Sequence, residues 1–288
     1  MSIRDTLLAL LVILIFGTNF AAMKWALNEI PPILFVGLRF LMVLLPAVFF
    51  VAPPRHSILK IGAIGLFIGA IQFGFLFEAL RADITTGLAS LLLQIQVPST
   101  ILLSVLFLGE SVRVRQIIGI LLAAVGFLLF LQNEGGNVTL IGVALVTIAA
   151  LSWACGNLVI KTMGKVNMLQ IMVWSSLVPA SLMITLSAFL ETPNAVTVLR
   201  ELSVMAWLST AFVAYVSTIV GYSLWGFLLQ RYNAATVTPF ALLIPIIGMA
   251  TGALVFNESL NFIELVGTVL VLAGLAFCVL RFPFAIKK

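Results

Sequence analysis

The sequence predicts an all-α integral membrane protein, with ten transmembrane helices arranged as two inverted five-helix repeats. Three observations carry this. Of 288 residues, 62% are hydrophobic and only 9% charged, with a mean hydropathy of +1.25, which no soluble domain of this length shows. Apolar segments of bilayer length follow one another along the chain, joined by short polar links. The second half also echoes the first. Glu110-Ser111 matches Glu258-Ser259 at an offset of 148, which also places Gly119 on Gly267 and Gly126 on Gly274. Lys24 has Lys161 at an offset of 137, and Asn19 lies near Asn157. Internal similarity of this kind in a membrane chain points to transporter-type repeats.

The apolar segments run over residues 5–28, 32–51, 58–80, 84–108, 114–131, 138–162, 167–190, 203–230, 235–256 and 262–281. The first is too long for a signal-peptide core and lacks a small-residue cleavage site, so it is expected to be a retained span. Breakers and polar residues mark the links: Pro31-Pro32, Pro53-Pro54-Arg55-His56, Gly109-Glu110-Ser111 and Glu191-Thr192-Pro193-Asn194. The stretch from Gln132 to Asn137 is the natural join, dividing the chain into a first repeat over 1–134 and a second over 137–288. Five spans per half is an odd number, so the second half enters from the opposite face and the repeat is inverted.

Lysine and arginine placement predicts orientation. With the N-terminus in the cytoplasm, the inner side carries Arg4, Arg55, Lys60, Arg113, Arg115, Lys161, Lys165, Arg231, Arg281, Lys287 and Lys288, against Arg81 and Arg200 outside. Both termini are then cytoplasmic. The net charge of +5 follows from these loop and helix-end residues and is no footprint of nucleic acid. Cys155 and Cys278 sit in apolar segments and suggest neither a disulfide framework nor a metal site. No cofactor is expected.

The stretch from Ala82 to Glu110 is unusual for a membrane anchor. It has no charge between Ile84 and Leu108, yet Gln94, Gln96 and Pro98 stand at its centre. Mid-membrane amides are costly without partners, and a proline removes a backbone donor. A kinked, polar helix of this kind suggests a cavity wall. Pro245 is the near counterpart of Pro98, and both are candidate hinges. Gly65-x-x-x-Gly69 and Gly248-x-x-x-Gly252 are expected to let helices pack closely and slide.

Other polar residues are candidates for substrate contact. Asn19 and Asn157 either bond substrate or bond between helices. Gln72 lies mid-span. Gln94 and Gln96 point about 200° apart on a regular helix, so only one should face a cavity unless Pro98 distorts the turn. Arg39 lies roughly 10 Å below the outer surface, where an ionisable group is functional by default. Either Arg39 or Lys24 could receive a substrate carboxylate, with Glu78 pairing the other cation; the alternative is a structural bridge, with Glu78 paired locally to Arg81. Trp153, Tyr215, Thr218 and Tyr222 carry polar handles, and the seven-residue spacing of the two tyrosines puts them on one helical face. Glu110 and Glu258 are expected to cap the helices that follow them.

The chain resembles the EamA-type members of the drug/metabolite transporter superfamily. The resemblance rests on Phe16-Gly17-Thr18-Asn19-Phe20, Gly109-Glu110-Ser111 and Asn257-Glu258-Ser259. Residues 152–157 (Ser-Trp-Ala-Cys-Gly-Asn), 218–222 (Thr-Ile-Val-Gly-Tyr), Trp225-Gly226, Arg231-Tyr232 and Leu243-Ile244-Pro245 resemble the cysteine/O-acetylserine-exporting branch of that family. The resemblance implies ten spans in two inverted repeats, a bacterial inner membrane, and export of small amino-acid-like metabolites, with protons as a candidate coupling ion. The alternative within the fold is a broad drug carrier or one for nucleotide sugars or S-adenosylmethionine. An enzyme fits poorly, because no span holds a histidine and no paired acids or Cys/His cluster is present. No phosphate-binding glycine loop marks ATP as the energy source. The expected partners are a small-molecule substrate and the lipid bilayer, with the chain a monomer or weak dimer.

Overall fold

A helix that crosses a bilayer satisfies its own backbone along its length and leaves only its ends to be dealt with. The chain is built from such helices. The computed structural model describes residues 1–131, 137–164, 166–192, 194–232 and 234–280. The join at 132–136 and the basic residues Lys165, Arg281, Lys287 and Lys288 lie outside the described residues.

Among the described residues, eight helical segments are long and apolar enough to span a membrane. They are helix one (Ile3–Leu27), two (Pro32–Phe49), three (Ile58–Arg81), four (Thr86–Leu108), six (Leu140–Lys161), seven (Met168–Leu190), eight (Val204–Leu228) and ten (Phe262–Val279). Helix five (Val114–Phe130) and helix nine (Phe240–Phe256) are apolar but shorter. A short helix, Ala195–Glu201, occupies the link before helix eight and buries none of its residues. The chain is thus a multi-pass, all-helical membrane protein.

Several helices are locally irregular, and each irregularity has a visible cause. In helix three the turns widen over Gly65–Ile71, where Ser152 Oγ on helix six donates to the Phe67 carbonyl at 2.7 Å. In helix eight they widen over Phe212–Gly221, and Thr218 Oγ1 donates to the Val213 carbonyl five residues back at 2.9 Å. In helix four the chain tightens to a 3₁₀ turn over Leu93–Ile95, just where Pro98 has no N–H to offer the Gln94 carbonyl. Helix nine is preceded by a similar tightening over Thr238–Leu243, ahead of Pro245.

At one end of the molecule, each of five helix starts is met by a carboxylate. Glu191 accepts from the backbone N–H of Ile33 and Leu34, at 2.7 and 2.8 Å. Glu258 accepts from the N–H of Thr86 and Gly87 and from the Thr86 hydroxyl, at 2.8, 3.0 and 2.9 Å. Glu29 takes the Ser203 N–H and hydroxyl, Asp83 takes the Thr139 hydroxyl, and Glu264 takes the N–H of Asn137 and Asn261. Negative charge at a helix start is favourable both as a hydrogen-bond acceptor and against the helix dipole. The Ser203 donors hold the Glu29 carboxylate below its ordinary range. That contact is fully present above the ordinary glutamate range and is lost only as the pH falls through the lowered value.

This corrects one expectation. Glu258 caps helix four, not helix ten, whose start is closed by an Asn261–Glu264 capping box. Among the described residues Glu110 caps no helix; it pairs with Lys161. Chain order points Glu258 at the next helix, whereas its contact is made across the fold.

Small residues close the same end. A Cβ at Gly252 would strike the Glu258 carboxylate and the Thr86 hydroxyl, and one at Gly248 would strike Ser90. Helix nine therefore lies directly on the first half of helix four. Helices five and ten cross through glycine on both sides: Gly119 lies against Gly274, and Gly126 against Gly267. Such backbone approach replaces the hydrophobic drive that lipid does not supply.

Gly126→Leu is expected to force helices five and ten apart at a cost of about 1–3 kcal/mol. Its melting temperature in detergent should fall below wild type; an unchanged value would show that the crossing relaxes freely.

Candidate functional site

A cavity of about 840 Å³ runs into the helices from the end opposite the capped one. Its mouth carries Glu110, Ser111, Arg113, Arg115, Gln116 and Lys161, with Cys278 and Val279 from helix ten. Its deeper wall is Phe16, Asn19, Arg39, Gln72, Phe73, Gln94, Gln96, Trp153, Asn157, Ser217, Tyr222 and Trp225. The charges are uneven: Arg39, Arg113, Arg115 and Lys161 against Glu110 alone among the lining residues.

A polar seam runs along one side. Gln96, Thr100 and Ser104 repeat every four residues on helix four, facing Asn157 and Lys161 on helix six. Asn157 Nδ2 donates to Gln96 Oε1 at 2.9 Å and to Thr100 Oγ1 at 3.3 Å. Lys161 Nζ donates to Ser104 Oγ and to both Glu110 oxygens, each at 2.9 Å. The Lys161–Glu110 pair is half exposed, so it lies at an aqueous mouth and is held loosely enough to part.

Arg39 is 1% exposed and sits deep in the wall. Its guanidinium carbon lies 3.9 Å from the Phe73 ring centre, 4.7 Å from that of Phe40 and 5.9 Å from that of Phe77. Nη2 donates to Thr218 Oγ1 at 2.7 Å, while Nε and Nη1 have no hydrogen-bond partner. Rings supply part of the lost hydration of a buried cation but no oxygen acceptor for Nε and Nη1.

The other expected site residues divide. Asn19, Gln72, Gln94, Gln96, Trp153, Asn157 and Tyr222 all line the cavity with Arg39. Gln94 and Gln96 face it together, contrary to the regular-helix expectation, because the 3₁₀ turn at Leu93–Ile95 rotates them toward one another. Pro98 lies off the main cavity, in a smaller cleft of about 200 Å³. Thr218 is buried and holds Arg39 rather than lining the cavity.

Three residues are displaced from the expected site. Tyr215 is 36% exposed and outside the lining; the wide turns of helix eight break the seven-residue register with Tyr222. Lys24 is also outside the lining and donates to the carbonyls of Leu80 and Arg81, closing the end of helix three. Glu78 is exposed on the outer face of helix three and outside the cavity lining. The expected local pairing with Arg81 is absent from the ion pairs among the described residues. In sequence Lys161 reads as one of the inner-side cations and Glu110 as a helix cap, so neither points to the cavity that both line. The available signal was spacing: Lys161 lies four residues beyond Asn157, as Ser104 does beyond Thr100.

Membrane-spanning helices around a largely apolar cavity, open at one end and carrying a few polar groups in its wall, form an architecture that suits a membrane transporter. The sequence profile of the EamA-like transporter family matches residues 5–132 and, a second time, 140–280. The chain belongs to that family, and is a transporter rather than an enzyme. It is 38% identical to a "Probable amino-acid metabolite efflux pump" of Escherichia coli (strain K12), over all of this chain and 99% of that protein. It shares 38% with a protein of the same description from Salmonella typhimurium (strain LT2), covering 98% of that chain. It shares 24% with the "Uncharacterized inner membrane transporter YedA" of Escherichia coli (strain K12), over 87% of this chain and 82% of that protein. A solved structure described as "Crystal structure of protein" shares the fold, with a TM-score of 0.64, 18% identity and 96% of each chain covered.

A Gln96→Leu/Asn157→Leu double-mutant cycle is expected to give a coupling of about 0.6 kcal/mol in reversible unfolding, and no more than about 1.7 kcal/mol. A larger value would make the seam a fold-holding element rather than the wall of a path.

Proposed function

We propose that the chain is a bacterial inner-membrane secondary transporter that exports small amino-acid-like metabolites, of the cysteine and O-acetylserine class, by alternating access. The observation that carries this reading is the cavity itself: open at one end, closed at the other by capped helix starts and glycine contacts, and lined by cations rather than acids. A site for hydrophobic cations would need acidic lining. Here the acid at the mouth is tied to Lys161. The efflux description of the two 38%-identical relatives points the same way.

The two halves, 1–134 and 137–288, act as inverted five-helix repeats, with helices one to ten as ten crossings. Reciprocal contact supports this. At the offset of 148, Gly119 is equivalent to Gly267 and Gly126 to Gly274, and the pairs in contact are Gly119 with Gly274 and Gly126 with Gly267. That exchange is what a two-fold axis between helices five and ten produces. With both termini in the cytoplasm, the open mouth faces inward, and substrate enters from the cytoplasm past Arg113 and Arg115. It binds among Asn19, Arg39, Gln72, Gln94, Gln96, Trp153, Asn157 and Tyr222. Rocking of the halves at the breaks before Pro98 and Pro245 then exposes it to the other side, with Gly248 and Gly252 as the sliding contact. Protons are the candidate coupling ion.

Inside-out proteoliposomes offered labelled cysteine and O-acetylserine test the reading. Saturable uptake of either is the expected result, rising with an acid interior if protons are exchanged. No uptake of either by folded protein overturns the substrate class.

A further inference from the structure

We infer that Arg39, Asn19 and Gln72 form a recognition site for a zwitterion, in which Arg39 takes the α-carboxylate while Asn19 and Gln72 take the ammonium. This deepens the amino-acid reading above and rests on it. Among the described residues, the buried side-chain atoms without a hydrogen-bond partner are Arg39 Nε and Nη1, Asn19 Oδ1, Gln72 Oε1 and Thr268 Oγ1. Four of those five atoms belong to three residues of one cavity wall. All three residues are more than nine-tenths buried, at 1, 7 and 1% exposure in that order. Buried polar atoms are normally partnered, and a guanidinium in a membrane interior is the most costly to leave short. The set is also complementary in kind. Arg39 supplies N–H donors and positive charge, and the two amides supply carbonyl acceptors. Among the described lining residues no carboxylate stands in the deep wall with Arg39, which leaves the place of an anion to the substrate. Phe16, Phe20, Met23 and Trp153 complete the lining with apolar surface, which suits an uncharged side chain and penalises a cationic one.

The test is competition against labelled cysteine uptake in proteoliposomes. The competitors are cysteine, its methyl ester, which lacks the carboxylate, and 3-mercaptopropionate, which lacks the ammonium. Wild type should favour cysteine over either analogue by at least about tenfold, the loss of one charged hydrogen bond. Arg39→Gln should collapse the preference over the ester while keeping the preference over mercaptopropionate. Gln72→Leu and Asn19→Leu should do the reverse. If Arg39→Gln fails to fold, the two amide variants still decide the matter. Wild-type discrimination retained in folded Arg39→Gln, or in both folded amide variants, overturns the site while leaving the exporter reading standing. Wild type that takes up no amino acid overturns both.

A separate observation concerns access. Helix four ends with Gly109 in the left-handed conformation, followed by Glu110; helix nine ends with Asn257 in the same conformation, followed by Glu258. The Glu110 N–H reaches Ser104 O and the Glu258 N–H reaches Gly252 O, pairs related by the offset of 148. Two equivalent elements thus have the same backbone and different partners. Glu258, at the closed end, clamps the start of helix four. Glu110, at the open end, rests on Lys161. The geometry points to a paired latch: when the open end closes, Glu110 parts from Lys161, and Glu258 releases Thr86 and Gly87.

Ser90→Cys, in a chain with Cys155→Ala and Cys278→Ala, reports access when an impermeant maleimide is added on the Glu258 side only. Glu258→Gln should raise its labelling rate several-fold. Lys161→Met, at the opposite end, should raise it too by freeing Glu110. Thr86→Val provides a milder release of the clamp should Glu258→Gln not fold. An unchanged rate in folded Lys161→Met overturns the latch, because a purely structural cap at Glu258 would not sense the far end.

Discussion

The start of a membrane helix is the constraint on which this structure depends. Its first N–H groups have no partner within the helix, and lipid offers none. At the closed end the chain answers with carboxylates reaching from elsewhere in the sequence. Glu191 of the second half closes helix two, Glu258 of the second half closes helix four, and Glu29 of the first half reaches Ser203 ahead of helix eight. These contacts tie one half to the other. The same bonds that satisfy local backbone therefore determine which end of the bundle is shut.

The open end is organised by the opposite chemistry. Arginines and a lysine surround the mouth, and Asn157 and Lys161 meet a four-residue polar ladder on helix four. At the offset of 148, Gln96, Thr100 and Ser104 correspond to Ile244, Gly248 and Gly252. One helix carries hydrogen-bonding side chains along this face where its counterpart carries space for close approach. The difference accounts for the asymmetry between the ends: the glycine face allows helix nine to lie on helix four, whereas the polar face leaves room for water and substrate.

Local backbone irregularity supplies much of the site geometry. The 3₁₀ turn ahead of Pro98 brings two glutamines to one wall, and the wide turns of helix eight place Thr218 against Arg39 while turning Tyr215 outward. Each irregularity is stabilised by a named bond or a missing donor, so a single substitution at Thr218, Ser152 or Pro98 acts on the cavity without touching a ligand.

The membrane-embedded helical class, the tandem match to one family and most polar residues of the cavity's deeper wall are legible in the chain alone. Composition, span length and the expense of burying an amide are properties of the chain alone. Arg39, Asn19, Gln72 and Asn157 could be picked out because polar groups in apolar spans are costly wherever they end up. What they touch was decided by the tertiary structure. Lys24 and Glu78 read as part of the same network as Arg39, yet Lys24 closes a helix end and Glu78 faces outward. Glu110 and Glu258 looked alike in sequence and took different partners. Charge and spacing along one helix do not encode its rotation, its local pitch or the helix it meets; those follow from packing among all the helices at once.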